Sequence, residues 1–484
     1  LKFSLDSFFL QVLATCAVLL LSAGCGTPIG FSAVLLPQLS DGNTTEIPID
    51  IDTGSWIASV HSLATPFGSL LFGPLADYLG RRKTLLVSVI PIFLGWSTLA
   101  TAKSVKIMIF ARFLCGFATG ILGGPGQVYI AETAEPNLRS RLIGAPYVAY
   151  SCGILLVYSL GSIMYWRNVA WCANVLPFLA VVSIYCIPET PSWLLRNGHE
   201  KKALQAFLRG SEISAQKEVN DMKQRLDKER ATTKTNENIF RLCCQRVAIK
   251  PLVIVIVFSL RQMFSGTFIV IFYAIDIVSE FGADFDSKQA AVWTAAVRVV
   301  CCMIFCAILI FVRRRGIMIL LGIGSGVFCL ALSGFTYARV GHPKMSYDVL
   351  VAGGCLLGFI VFNTALMVMP GIMIGELFPA RIRGRTAGGV FASMNVALFI
   401  FAKGFTALQS LLKMRVAFLV FGFSSFLLTI FMCLFQPETK GRSLEHIEDY
   451  FNGNNWLWFR RDRGYKTVKL LPLQPLKENA AESA

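Results

Sequence analysis

The sequence predicts an all-α membrane protein of twelve transmembrane helices in two six-helix bundles, with short cytoplasmic helices beneath them. Three observations carry this. The 484 residues are 55% hydrophobic and 15% charged, with a mean hydropathy of +0.60, which is too apolar for an ordinary soluble chain. Apolar runs of about twenty residues, the length that crosses a bilayer, recur twelve times. Charged motifs repeat at matching places in the two halves: Glu132 stands seven residues before Arg139 and Glu376 seven before Arg383, while Pro188-Glu189-Thr190 returns as Pro437-Glu438-Thr439. Duplicated motifs of this kind predict paired bundles with a solute path between them.

The expected spans are 8–31, 54–76, 84–102, 107–131, 142–163, 166–187, 251–279, 289–312, 316–337, 348–375, 386–409 and 416–436. They divide the chain into a first bundle (1–188), a linker with amphipathic helices (189–250), a second bundle (251–436) and a tail (437–484). Charge orients them. The loop 40–53 holds Asp41, Glu46, Asp50 and Asp52 without Lys or Arg, whereas 81–83, 139–141, 313–315 and 381–385 are basic. Both termini and the linker are therefore expected in the cytoplasm, with the protein in the plasma membrane. The net charge of +16 is spread over alternate loops and tails, so it reads as topology and not as a nucleic-acid patch. Asn43-Thr44-Thr45 is a glycosylation sequon in a loop assigned outside. The charge-free stretch from Ser7 to Ser40 is too long for a signal-peptide core and suits a membrane helix. The 14 cysteines show no metal-site spacing with His partners. With no nucleophile–base pair, metal cluster or phosphate loop, the sequence predicts a monomer that is not an enzyme, needs no cofactor or metal, and has the bilayer and a small-molecule substrate as partners.

Between spans two and three lies Gly73-Pro-Leu-Ala-Asp77-Tyr-Leu-Gly80-Arg81-Arg82-Lys83. A hairpin this tight needs Gly80 at its turn, and positive-inside charge alone requires neither Asp77 nor a glycine. Asp77, Glu132, Glu189, Glu376, Glu438 and Glu445 form a carboxylate rim with Arg81, Arg82, Arg139 and Arg383 nearby. Such pairs suit an inner gate of modest energy, made once per half.

The hairpin resembles the loop signature of the major facilitator superfamily, and other stretches resemble its sugar porter branch. These are Ala111-Arg112-Phe113, Tyr129 with Glu132, Pro188-Glu-Thr-Pro-Ser-Trp-Leu194, Gly375-Glu-Leu-Phe-Pro-Ala-Arg-Ile-Arg-Gly384 and Pro437-Glu-Thr-Lys-Gly-Arg-Ser-Leu-Glu-His-Ile447. Thr27-Pro-Ile-Gly-Phe-Ser-Ala-Val-Leu-Leu-Pro37 is similar to insect trehalose and glucose facilitators. The resemblance implies the major facilitator fold and a sugar pocket built from spans five, seven, ten and eleven. The pocket departs from the pattern. Gln262 and Tyr273 keep family positions on span seven, but Met263 and Phe268 replace an amide and an Asn. Tyr147 stands for the span-five Gln, Gly371 for the span-ten Trp, and Met394-Asn395 for the span-eleven Asn-Trp. In the second half, Arg313-Arg-Arg-Gly316 stands where the family carries an acidic residue before the glycine.

Arg261 and Arg298 fall about ten residues into their helices, near mid-depth, where a charge is costly and functional by default. Asp276 is the candidate partner for Arg298. Proton-coupled sugar porters carry an acid in span one, and the matching residue here is Ser32; His61 alone makes no relay. The expected function is facilitated diffusion of a sugar such as trehalose, glucose or a related hexose or polyol. A small organic anion carrier and a non-transporting sugar sensor are the alternatives.

Overall fold

A computed structural model describes residues 2–40, 47, 49–133, 142, 144–207, 216, 219–220, 222–224, 246–267, 271, 287–339, 346–378, 383–411, 414–440, 447 and 450–451. Every regular element among them is a helix. Span one is a single helix, Lys2–Ser40, with Pro28 and Pro37 inside it. It runs past the predicted end because it lies flush on span five (Ala145–Ile163). A Cβ at Gly26 would sit 2.0 Å from the Tyr150 carbonyl oxygen, and one at Gly30 3.2 Å from Ile154. Close backbone contact of this kind holds a helix together where proline removes a donor.

Span two, Ile51–Leu79, starts from an N-cap at Asp50, whose carboxylate accepts the Thr53 amide at 3.2 Å. Hydrogen bonds from Thr53 hold the Asp50 carboxyl below its ordinary range. Span three, Arg81–Ala100, follows after Gly80 alone. Span four is broken into Val105–Leu122 and Pro125–Thr133, and span six into Trp166–Ala173 and Val175–Tyr185. Two short helices, Pro191–Arg196 and Glu200–Phe207, begin the linker. Leu194, Leu195, Ala203 and Val219 form a small core there, and Lys223 pairs with Glu200 at 2.5 Å.

Span seven begins as Arg246–Met263, followed by Ser287–Phe311, Arg314–Ala338, Ser346–Leu377, Arg383–Leu411 and Met414–Phe435 as spans eight to twelve. Among the described residues, ten helical runs are long and apolar enough to cross a membrane. The other two are spans two and seven. Span two buries a polar face of Ser55, Ser59, His61, Ser62, Thr65 and Ser69, which lowers its hydropathy while aiming polar groups inward. Span seven was predicted as unbroken over 251–279, but its helix ends at Met263 and turns at Gly266, where φ is 85°. Asn363 of span ten makes the break tolerable. Its amide donates to the Ser265 carbonyl (3.3 Å), Ser265 Oγ (3.2 Å) and Ser325 Oγ (3.3 Å), and its oxygen accepts from Thr267. Backbone freed inside a bilayer must be satisfied by such neighbours.

Spans one to six pack chiefly among themselves, as do seven to twelve. Two seams join the sets: span two lies along span eleven, and span five along span eight.

Candidate functional site

At the basic end, each six-helix set closes a clamp around two arginines. In the first, Arg81 reaches Glu132 at 3.1 Å, Asp77 at 3.6 Å and the Ala76 carbonyl at 3.2 Å. The Arg82 amide donates to both oxygens of Glu189, at 3.0 and 3.2 Å, and its guanidinium caps the end of span six through the Ile184 and Tyr185 carbonyls at 3.0 and 2.7 Å. Tyr129 donates to the Pro188 carbonyl at 2.6 Å.

The second set repeats this plan. Arg314 reaches Glu376 at 3.1 Å and the Leu309 carbonyl; the Arg314 and Arg315 amides donate to Glu438 at 3.0 and 3.3 Å; Arg315 caps span twelve at the Cys433 carbonyl. Arg314 and Arg315 thus stand where Arg81 and Arg82 do. That corrects the sequence-level register. Gly316 lies inside span nine, not at the turn; Arg313 takes the place of Gly80 and Ile310 that of Asp77. The glycine is dispensable because Arg313 has φ −67° and ψ 131°, ordinary extended values, whereas Gly80 has φ 94°.

These pairings each lie within one set of six helices, so they brace the halves separately. A link between halves through Arg139 falls outside the described residues, as does Glu445, and the Arg383 side chain is likewise undescribed.

A cavity of about 150 Å³ lies between the sets. Spans one, two, four and five contribute Cys25, Thr65, Gln127, Tyr147 and Tyr150; spans ten and eleven contribute Pro370, Gly371, Met394 and Asn395. Tyr147, Gly371, Met394 and Asn395 were predicted; Gln127 was missed, since no motif marks it. Asn395 donates to the Phe391 carbonyl at 2.8 Å. The Tyr147 hydroxyl lies beside Gln127 of span four and points at Gly371, where a Cβ would stand 1.6 Å away. The two family departures are therefore one change. The aromatic ring lost from span ten is replaced by a ring on span five, and only glycine opposite leaves room for it.

Gln262, predicted as a substrate contact, is buried with both amide atoms unpartnered and does not line the cavity. Met263, predicted as a contact, is instead buried in the hydrophobic core and absent from the cavity wall. Phe268, Tyr273, Asp276 and Asn43 lie outside the described residues.

The three intramembrane arginines differ. Arg112 is fully buried and donates to the Ile57 carbonyl at 3.2 Å, the Pro28 carbonyl and Ser32 Oγ. Neutral acceptors thus surround the helix-four cation at the residue matched to the acid of coupled porters. His61 bonds through Nε2 to Thr119 at 3.3 Å. Arg261 is exposed in the last turn of its helix, where a cation complements the helix C-terminus. Arg298 is buried on span eight, facing Tyr150 and Tyr158 of span five.

At the opposite, acidic end, Lys403 of span eleven pairs with Asp52 at 2.6 Å and Ser55 at 2.7 Å, and lies 4.5 Å from the Trp56 ring centre. This contact joins the two sets and was not foreseen.

Two six-helix sets, clamped alike and enclosing a cavity, define the major facilitator fold. Residues 32–451 match the "Sugar (and other) transporter" family model, and the chain belongs to that family. It is 32% identical over 446 residues to a facilitated trehalose transporter Tret1-2 homolog of Drosophila sechellia, covering 91% of this chain and 90% of that one. It is 33% identical to Tret1-1 of Drosophila simulans, of which it spans 51%. Among solved structures, the proton:xylose symporter XylE bound to 6-bromo-6-deoxy-D-glucose superposes with a TM-score of 0.75 at 20% identity, covering 92% of this chain and 99% of that one. The inward-open XylE of E. coli gives 0.72 at 19%. At these identities the structural likeness concerns the fold.

Proposed function

We propose that the protein is a facilitative carrier for a sugar, such as trehalose, glucose or a related hexose or polyol, working by alternating access. The observation that carries this reading is the cavity edged from both helix sets by Gln127, Asn395, Tyr147 and Tyr150. Amides that donate and accept suit hydroxyls, and aromatic rings suit the C–H faces of a pyranose. A dry cavity of roughly 150 Å³ accommodates a benzene-sized ring, which fits one sugar ring at a time.

In this reading residues 1–188 and 251–436 rock as two bodies, 189–250 tethers them, and 437–484 forms a tail. The clamp arginines keep each body rigid, and Glu132, Glu189, Glu376 and Glu438, with Arg139 and Arg383, gate the cytoplasmic mouth. Lys403 and Asp52 close the outer mouth. The termini face the cytoplasm, the protein resides in the plasma membrane as a monomer, and Asn43 carries a glycan. Arg112 held by Ser32 and two carbonyls favours uncoupled transport.

Uptake of labelled trehalose and glucose into proteoliposomes, with and without a pH gradient, tests the reading. Saturable uptake indifferent to the gradient is expected. Sugar binding without flux would mark a sensor instead, and gradient-driven accumulation would overturn the uncoupled mechanism.

A further inference from the structure

The cavity between the sets is walled without charge. Among the described residues that line it there is no Asp, Glu, Lys, Arg or His. Several of its polar side chains are left as acceptors. Ser22, Thr65 and Ser69 each donate their one O–H to a carbonyl four residues earlier in their own helices, that of Val18, His61 and Thr65, at 2.9, 2.8 and 3.0 Å. A hydroxyl committed in this way keeps its lone pairs for a second partner. Across the seam, Asn395 donates to the Phe391 carbonyl at 2.8 Å and keeps its amide oxygen. Such a wall suits a solute that brings many O–H donors, and it opposes a carboxylate, which is itself acceptor only.

The cavity is also short. The Tyr147 ring reaches from span five to span ten, where its hydroxyl lies 1.6 Å from the place that a Cβ at Gly371 would take. A side chain that meets the opposite backbone leaves no passage between the two. Tyr147 is the third residue of the span-five helix counted from the basic end, so this bar stands on the basic side of the cavity. On the acidic side, Trp56 of span two and Phe399 of span eleven meet across the seam with ring centres 6.0 Å apart, next to the Lys403–Asp52 pair. The sets thus touch on both sides of a space of about 150 Å³.

We infer that Tyr147 and Gly371 set the length of the solute site, and that the solute is an uncharged monosaccharide: a two-ring sugar is disfavoured because its second ring needs the place of the Tyr147 ring. This deepens the carrier reading and rests on it for the location of the solute path.

The test is equilibrium binding of D-glucose, trehalose and D-glucuronate to the full-length purified protein. Overlap of a sugar ring with a packed side chain corresponds to roughly ten- to hundredfold in affinity, so glucose is expected to bind about tenfold or more tightly than trehalose. Glucuronate is expected to bind more weakly than glucose. In Tyr147→Ala glucose loses a ring contact and weakens, while trehalose gains room for its second ring and tightens by about tenfold. Tyr147→Phe keeps the ring and the preference. A general loosening of the fold would weaken both sugars together, so opposite shifts are what the assignment requires. Trehalose binding as tightly as glucose to the wild type overturns the inference and requires no variant. So does a Tyr147→Ala protein that folds and keeps the preference. Glucuronate binding more tightly than glucose overturns the uncharged assignment. Flux is read separately in proteoliposomes. Glucose preference without flux of either sugar sinks the carrier reading and leaves the size assignment standing, while equal flux of trehalose and glucose does the reverse.

Discussion

The two basic-end clamps perform one task with different residues. Both seat an arginine on a glutamate and on a carbonyl five residues back, and both fold a second glutamate over backbone amide at the turn, Glu189 over that of Arg82 and Glu438 over those of Arg314 and Arg315. The first set adds Asp77 and turns on Gly80 at φ 94°. The second has Ile310 and Arg313 there, with Arg313 at φ −67°. What persists is the hydrogen-bond plan, and what varies is the backbone that delivers it. The first clamp is therefore sensitive at its turn, and the second is short of one carboxylate.

The largest expected effect lies at that turn. In Gly80→Ala, a Cβ would stand 2.4 Å from Glu189 Oε2 on a backbone that L residues avoid. Left-handed strain alone costs about 1–2 kcal/mol, and displacing Glu189 deprives the Arg82 amide of its acceptor. Thermal unfolding in detergent should show a drop of about 2 kcal/mol or more, while Arg313→Ala changes stability by under about 0.5 kcal/mol. Equal effects at the two positions would break the comparison.

Next in size is the aromatic exchanged between the sets. Gly371→Trp places a ring where Tyr147 already stands and should cost about 1–3 kcal/mol, seen as at least tenfold weaker sugar binding. Tyr147→Gln in the same chain removes the obstruction and returns the family's arrangement of amide and ring. Binding should recover most of the loss. A double variant no better than the single would show that the two substitutions are independent.

These two predictions mark what was legible in the sequence and what was not. The carboxylates of the clamps could be read from their offsets to helix ends, but their pairing could not: Glu132, Glu189, Glu376 and Glu438 hold Arg81, Arg82, Arg314 and Arg315, whereas the spacing singles out Arg139 and Arg383. The register of the second clamp was misread because Gly316 looked like the turn glycine, and only φ values distinguish a turn from a helix interior. Tyr147 and Gly371 each read as a loss, since their contact crosses the seam between the sets. The partners of Arg112 were hidden for another reason: two of the three are backbone carbonyls, which any residue supplies. Met263 looked like a pocket residue because it stands where the family carries an amide, but an apolar side chain there packs into the core instead.

A smaller effect follows from supplying the missing acid. Ile310→Asp should place a carboxylate against Arg314 as Asp77, whose side chain is 64% accessible, lies against Arg81. An exposed pair of this kind contributes about 0.2–1 kcal/mol. Unfolding stability should rise by that amount and fall back in high salt. A loss of stability instead would mean that Ile310 packs against apolar neighbours and that the second clamp is built for a lipid-facing edge.

The smallest effect concerns the acidic end, where the two sets meet instead of repeating. Lys403 lies against Asp52, Ser55 and the Trp56 ring, yet the Asp52 side chain is 72% accessible. Water screens such a pair, so Lys403→Met removes only about 0.2–1 kcal/mol from the state in which spans two and eleven touch. A conformational equilibrium within a few kcal/mol of balance still responds to that. Alkylation of a cysteine introduced at Trp56 should quicken by up to about fivefold in Lys403→Met, and added salt should quicken the parent protein towards the same rate. The clamps predict the opposite for Glu132→Ala and Glu376→Ala, which loosen each set internally and should leave labelling at the acidic end unchanged. If those variants quickened it as much as Lys403→Met, bracing within a set and closure between sets would be one network, and the division between the two ends of the molecule would fail.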